Sequence, residues 1–288
     1  MNRFSHIYIE ERAKEYAVTK SILNHFPDST KIYIKHYKDL FNRGRQDYTL
    51  QKEAQKLILA VKEAPFLYNG PDICENFGFQ NFYYTSLISN CIYDCHYCYL
   101  QGLYPSANMV IFVNINDFLN EVDGYLKKYK DIYLCISYDT DLLALEGLVP
   151  YTGKWIEYAS KRDNLLIEIR TKSANYSSIS SYSPVSNVIL AWTLSPQKII
   201  DDYEHLTPNL DARLKCADMA IKDGWKVRLS FEPIIKINGW KEVYAKFMDH
   251  VFSIIQPEKL YDINIGTFRM NKDYFKKIGR SRTDTDSS

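Results

Sequence analysis

The sequence contains no run of about 18 consecutive apolar residues, so nothing in it reads as a transmembrane helix. Its first residues, Met1-Asn2-Arg3-Phe4-Ser5-His6, lead into charged residues rather than into the apolar core of a secretory signal. It also has almost no net charge: 36 Lys and Arg stand against 35 Asp and Glu, which leaves +1. That balance excludes a protein that coats nucleic acid through bulk charge, while leaving room for a local basic patch. There is no internal repeat and no low-complexity linker. These absences predict a cytoplasmic protein without a membrane partner. In that compartment six cysteines read as metal ligands or catalytic groups before disulfides.

What is present is ordinary globular composition. With 46% hydrophobic and 25% charged residues, the chain is not wholesale disordered, and 288 residues suffice for one large α/β domain or two modest ones. Charge is unevenly spread. Residues 1–65 carry twelve basic and eight acidic side chains, and residues 266–288 carry six and three, so the stretch between them is −6. Either this is variation in solvated surface, or both ends flank an anionic substrate.

The N-terminal part has a mixed pattern. Helical spacing is predicted over Glu11–Asn24 and Leu50–Ala64, with strand alternation over Lys31–Lys35 between them. From about residue 81 the pattern becomes strand, then helix, repeatedly. Apolar runs at Phe82–Ile88, Val110–Val113, Ile132–Ile136, Leu165–Ile169, Val188–Thr193, Val227–Phe231 and Ile263–Thr267 predict strands. Helical stretches at Asp117–Tyr129, Leu142–Lys161, Leu210–Lys222 and Trp240–Ile255 lie between them. Strands this apolar, joined by helical crossovers, predict a parallel sheet covered by helices. Six or seven such units make an open or partial (β/α) barrel, where chemistry sits at the C-terminal ends of the strands.

At one such end stands Cys91-Ile-Tyr-Asp-Cys95-His-Tyr-Cys98-Tyr99-Leu-Gln101, a C-x3-C-x2-C loop. Thiolate is the usual ligand of iron–sulfur clusters, and three local thiolates leave a fourth iron open for a substrate or cofactor. Polar neighbours at a strand end argue against three merely buried cysteines. No partnering C-x2-C follows at zinc-finger spacing.

This loop after a first barrel strand resembles the radical S-adenosylmethionine superfamily. Within it, the run Cys95-His-Tyr-Cys98-Tyr-Leu-Gln resembles the spore photoproduct lyase family. So do His36-Tyr-Lys-Asp-Leu-Phe-Asn-Arg43, Tyr104-Pro-Ser-Ala-Asn108, Tyr203-Glu204, Leu210-Asp-Ala-Arg213, Glu232-Pro233-Ile234 and Gly239-Trp240, which look like clostridial-type members over roughly residues 30–280. The resemblance implies a partial (β/α)6-type radical S-adenosylmethionine barrel with an N-terminal α/β extension. Residues 1–80 would form the N-terminal region, 81–270 the barrel and 271–288 a polar C-terminal tail. It implies a [4Fe–4S] cluster on Cys91, Cys95 and Cys98, S-adenosyl-L-methionine as cofactor, and a reductant such as flavodoxin or ferredoxin. The implied substrate is DNA containing 5-thyminyl-5,6-dihydrothymine, which the family returns to two thymines. A 5′-deoxyadenosyl radical takes a hydrogen from C6 of the lesion, the bridge breaks, and a cysteine thiol quenches the product radical. A superfamily relative acting on another substrate, and a non-catalytic iron–sulfur DNA-binding protein, are the competing readings.

By the same resemblance Tyr97 and Tyr99 match tyrosines that pass the radical back, against a plain packing role. Lys172 matches a lysine near the cofactor carboxylate. Thr140 and Thr193 or Ser195 fall where family hydroxyls contact the cofactor, although each reads equally well as a helix N-cap. The hydrogen donor departs from the pattern: aligning on Asp141 puts Tyr138 where other members carry cysteine. Cys135, three residues upstream on the strand, and Cys74, in the turn-rich segment Gly70-Pro-Asp-Ile-Cys74, are the candidates. Cys216 reads as outer-helix packing, and Arg269 as facing a phosphate or solvent. The end, Ser281-Arg-Thr-Asp-Thr-Asp-Ser-Ser288, is polar and without a core signal, where longer members carry a further segment.

Overall fold

The fold was obtained as a computed structural model, and the structure describes residues 4–281. Six strands run parallel and pair in chain order: Phe82–Thr85, Ile132–Cys135, Leu165–Thr171, Val188–Thr193, Lys226–Ile234 and Asp262–Thr267. An antiparallel strand, Leu67–Asn69, edges the first of them. The sheet does not close, because Leu67–Asn69 and Asp262–Thr267 are its two edges. This is the expected partial (β/α)6 barrel. Every residue of Val188–Thr193 is buried, as a strand with both faces covered requires. Helices Ile115–Lys128, Tyr151–Ala159, Leu210–Lys222 and Trp240–Ile254 lie in the crossovers. Asn209 caps the third by accepting from the Ala212 amide at 2.9 Å.

A second sheet carries the N-terminal part, in the order Thr30–Ile34, His6–Glu10, Leu57–Ala60, Met109–Phe112 and Ile88–Ser89. Three expectations change here. The helix predicted over Leu50–Ala64 is a short helix, Tyr48–Glu53, followed by the strand Leu57–Ala60. Four apolar residues in a row fit a buried strand as well as a helix, and here His6–Glu10 and Met109–Phe112 flank them on both sides. The strand predicted at Val110–Val113 forms, but it joins this sheet rather than the barrel. The run Phe82–Ile88 likewise divides, with Phe82–Thr85 in the barrel and Ile88–Ser89 antiparallel to Met109–Phe112. The N-terminal sheet thus takes residues from both sides of position 81.

Two helical expectations shorten. Glu11–Asn24 becomes a 3-10 turn, Glu11–Ala13, and a helix, Ala17–His25. Leu142–Lys161 becomes a 3-10 turn, Leu143–Leu145, and the helix Tyr151–Ala159, separated at Pro150, which cannot donate within a helix.

The polar tail expected from residue 271 needs correction. Lys272–Ser281 is a helix; residues 282–288 lie outside the described residues. Tyr274 and Ile278, one turn apart, give it a narrow apolar stripe, and Ile278 is buried. That stripe suffices because its partner, the short helix Leu100–Leu103 after the cysteine loop, lies close. A Cβ on Gly102 would stand 2.4 Å from the Cβ of Tyr274, so only glycine allows this approach.

Candidate active site

The cysteine loop is held by its backbone. Asn90, buried and at φ 68°, turns the chain out of Ile88–Ser89. Asparagine tolerates that conformation, and its side-chain amide donates to the carbonyls of Ser106 and Asn108, both at 2.7 Å. The carbonyl of Cys91 accepts from Lys52 and, at 3.3 Å, from Gln55. The carbonyl of Cys95 accepts from Gln101 at 2.8 Å, and Asp94–Cys95 pairs with Glu204–His205. These ties fix the course of the backbone that carries the three thiols.

Cys91, Cys95 and Cys98 all line one cavity of about 1020 Å³ at the C-terminal ends of the strands. Burial pushes the thiols up, Cys91 to about 11, so they stay protonated until a metal displaces the proton. Among the described residues no three His, Cys, Asp or Glu side chains gather as a single ion would require. A four-iron cluster instead takes one thiolate on each of three irons, which suits three cysteines spread along a cavity wall. The donor set therefore fits a [4Fe–4S] cluster, which Cys91, Cys95 and Cys98 would hold at this cavity.

The sequence-predicted cofactor residues divide. Lys172 lines the cavity with its ammonium 5.6 Å from the Tyr97 ring, and its backbone amide donates to Asp141 at 2.7 Å. Thr140 and Thr193 line the cavity too, and the buried Thr140 hydroxyl has no hydrogen-bond partner among the described residues. A buried hydroxyl left so is a position that a polar ligand atom would satisfy. Ser195 points elsewhere: its hydroxyl donates to Glu204 at 2.9 Å.

Glu204 and Arg213, for which sequence reasoning offers no individual role, form the buried frame of this wall. Arg213 donates to Glu204 at 2.6 Å, to Thr207 at 2.6 Å and to the Thr193 carbonyl at 3.1 Å; Tyr97 also donates to Glu204. Burial alone would raise the Glu204 carboxyl, but Lys172 and Arg213 more than offset it and hold it below the ordinary carboxylate range. Their spacing of nine residues, across a turn and into a helix, carries no signal for the pair.

The donor candidates also separate. Cys74 lines the large cavity, and its Sγ lies 3.5 Å from the Tyr138 hydroxyl. The Tyr138 ring stacks on Tyr84 at 4.1 Å and lies 5.9 Å from that of Tyr99. Tyr99 in turn donates to Asp139 at 2.9 Å and to the Tyr138 carbonyl at 3.0 Å. Cys135 does not line the large cavity. It faces a smaller one of about 170 Å³ shared with Cys74, with its Sγ 3.8 Å from Glu168. Cys216 is buried on Leu210–Lys222, and Arg269 is paired with Glu232 at 2.8 Å.

The model of the spore photoproduct lyase family matches residues 3–282. Spore photoproduct lyase of Clostridium acetobutylicum is 25% identical over 86% of this chain and 73% of its own length. That of Bacillus subtilis is 22% identical over 94% of this chain and 78% of its own. Solved spore photoproduct lyase structures share the fold. One with dinucleoside spore photoproduct superposes at a TM-score of 0.86 and 18% identity, covering 99% of this chain and 84% of that one. Another, with bound AdoMet and the dinucleoside photoproduct, does so at 0.84 and 19%, with the same coverage. The chain belongs to the spore photoproduct lyase family.

Proposed function

We propose that this chain returns the spore photoproduct in DNA to two thymines by a radical mechanism. Cys91, Cys95 and Cys98 hold the [4Fe–4S] cluster, and S-adenosylmethionine binds against Lys172, Thr140 and Thr193. The observation that carries the reading is the meeting of the three-cysteine loop, a cation, an unpartnered hydroxyl and the Cys74–Tyr138 pair on one cavity. Its volume suits a nucleoside cofactor and a dinucleotide together.

When bound, the cluster and S-adenosylmethionine supply the 5′-deoxyadenosyl radical that opens the lesion. The chain's own part is to quench the product radical. Cys74 gives it the thiol hydrogen: the S–H bond breaks, a C–H bond forms, and the thiyl stays beside Tyr138. The Tyr138 hydroxyl, 3.5 Å away, would return a hydrogen atom to sulfur, and the phenoxyl so left would regain one through the adjacent Tyr99, with 5′-deoxyadenosine as its source. Tyr97, held by Glu204, lies on the same wall. Cys135 serves as packing behind it. Lys172 pairs with the cofactor carboxylate. Outside the cavity, Lys272, Lys276 and Arg280 follow one another at helical spacing on an exposed face and meet the DNA backbone. A flavodoxin- or ferredoxin-type reductant in the cytoplasm feeds the cluster.

The test is anaerobic reconstitution with a lesion dinucleotide, following thymine and 5′-deoxyadenosine. Deoxyadenosine without thymine would sink the substrate assignment; neither product would sink the radical reading.

A further inference from the structure

Residues 70–81 join two strands that pair directly, Leu67 with Thr85 and Asn69 with Tyr83. Such strands need only about two to five connecting residues, so this segment is long for a simple connection, and it carries Cys74. It folds as two tight turns, closed by the Cys74 amide on the Pro71 carbonyl at 2.9 Å and the Phe79 amide on the Asn76 carbonyl at 3.0 Å. Glu75 and Asn76 spend their side chains locally, accepting from the amides of Phe77 and Gly78. Toward the rest of the molecule, Cys74 makes its hydrogen bond with Tyr138.

The segment's ends are tied by Gly70, whose amide donates to the Phe82 carbonyl at 2.8 Å, and by Asn81, which donates to the Asp131 carbonyl and accepts from the Tyr133 amide, both at 3.0 Å; between those ends, the hold beyond the Cys74 bond is aromatic. The Phe77 ring lies 3.4 Å from the Arg228 guanidinium carbon and 5.6 Å from the Tyr133 ring, and Phe79 stacks on Tyr133 at 5.4 Å. Arg228 is a fixed plate. It is 1% exposed and donates to Asp262 at 2.6 Å, to the Tyr133 hydroxyl at 2.8 Å and to Glu168. The placement of Phe77 is strained: its φ is 52°, followed by 84° at Gly78. Turns with two such central residues normally use Gly, Asn or Asp, and a bulky side chain in the left-handed region is an outlier. Strain of this kind persists only where the surroundings impose it, and it clusters at functional sites.

We propose that Phe77 is a positioning residue for the hydrogen donor: clamped between Arg228 and Tyr133, it fixes the segment that holds the Cys74 thiol at the cavity. Cys74 and Phe77 lie three residues apart and line the same smaller cavity. Losing the ring frees the segment, and the thiol then meets the product radical less often than competing reductants do. The step itself is unchanged: the hydrogen atom leaves sulfur for carbon, and the thiyl regains one through Tyr138. This rests on the reading of Cys74 as donor.

The experiment compares Phe77→Ala, Phe77→Leu, Phe77→Tyr and Cys74→Ala with the parent on a lesion dinucleotide. It reads the ratio of reductant adduct to thymine per 5′-deoxyadenosine formed, which the amount of folded protein does not move. Misplacing a reacting group by about 1 Å costs up to about a hundredfold, so Phe77→Ala is expected to raise the ratio about tenfold or more. Phe77→Leu, which keeps bulk but not the flat face, raises it less, and Phe77→Tyr restores it. Amide exchange in the reconstituted protein should quicken across residues 71–79 in Phe77→Ala and stay unchanged in the barrel strands. An unchanged ratio in both Phe77→Ala and Phe77→Leu, with Cys74→Ala diverting product, overturns the anchor alone. Clean thymine from Cys74→Ala overturns the donor reading beneath it.

Discussion

The thiol of Cys74 and the phenol of Tyr138, 64 positions apart in the chain, stand 3.5 Å from each other on the wall of the cavity that Cys91, Cys95 and Cys98 also line. A thiol quenches a carbon radical because its S–H bond is weak, and a phenol beside it can restore that bond. Cys135 lies behind the wall, against Glu168.

This relationship predicts how product distributions divide. Cys74→Ala should divert the unquenched product radical to adducts with added reductant and depress thymine yield several-fold. Cys135→Ala should keep clean repair and lose only packing stability, about 1 kcal/mol for so small a deletion. Chromatography of both reactions in parallel checks this, and clean repair by Cys74→Ala would return Tyr138 or a bound reductant as donor.

The cluster loop predicts an all-or-none response. Substituting Cys91, Cys95 or Cys98 by Ala should remove a ligand that no neighbouring cysteine replaces and abolish S-adenosylmethionine cleavage. Iron content and 5′-deoxyadenosine formation are the measurements; full cleavage by Cys95→Ala would refute the ligand set.

Acid sensitivity should trace to Glu168. Burial would raise this carboxyl, but Arg170 and Arg228 outweigh burial and hold it below its ordinary range. A depressed carboxyl contributes stability that is fully present above the unfolded pKa of about 4.3 and is lost as pH falls through the folded value. Resistance to thermal unfolding should therefore fall below about pH 4. Glu168→Gln leaves Arg228 and Arg170 short of a charge partner and should cost about 3–5 kcal/mol at neutral pH, with a flatter acid limb. An acid limb identical to the parent's would show that another carboxyl governs it.

DNA affinity should depend on salt through few contacts. Replacing both Lys276 and Arg280 by Gln should reduce the slope of log affinity against log salt by about 1.8 on duplex DNA if each meets one phosphate. Repair of the isolated dinucleotide, which has no flanking phosphates, should be unchanged. Fluorescence anisotropy across a salt series measures it, and an unaltered slope would move the DNA path elsewhere.

The cysteine loop was legible in the sequence because its chemistry is local: Cys91, Cys95 and Cys98 need only short spacing and a strand before them. The six barrel strands were legible because apolar runs between amphipathic helices have few other uses. Which sheet a strand joins was not, since Met109–Phe112 pairs with Leu57–Ala60 some fifty residues away and its apolar face suits either sheet. Nor was the helix Lys272–Ser281, whose stripe of Tyr274 and Ile278 is meaningful only once Gly102 is beside it. Among the hydroxyls, pattern gave Thr193 and Ser195 equal standing, and only folding turned Ser195 toward Glu204 while Thr193 kept the cavity. The choice between Cys74 and Cys135 belonged wholly to tertiary structure. A strand fixes the direction of Cys135 from its neighbours, but the place of Cys74 depends on a twelve-residue segment whose course is set by Phe77 lying on an arginine about 150 positions later in the chain.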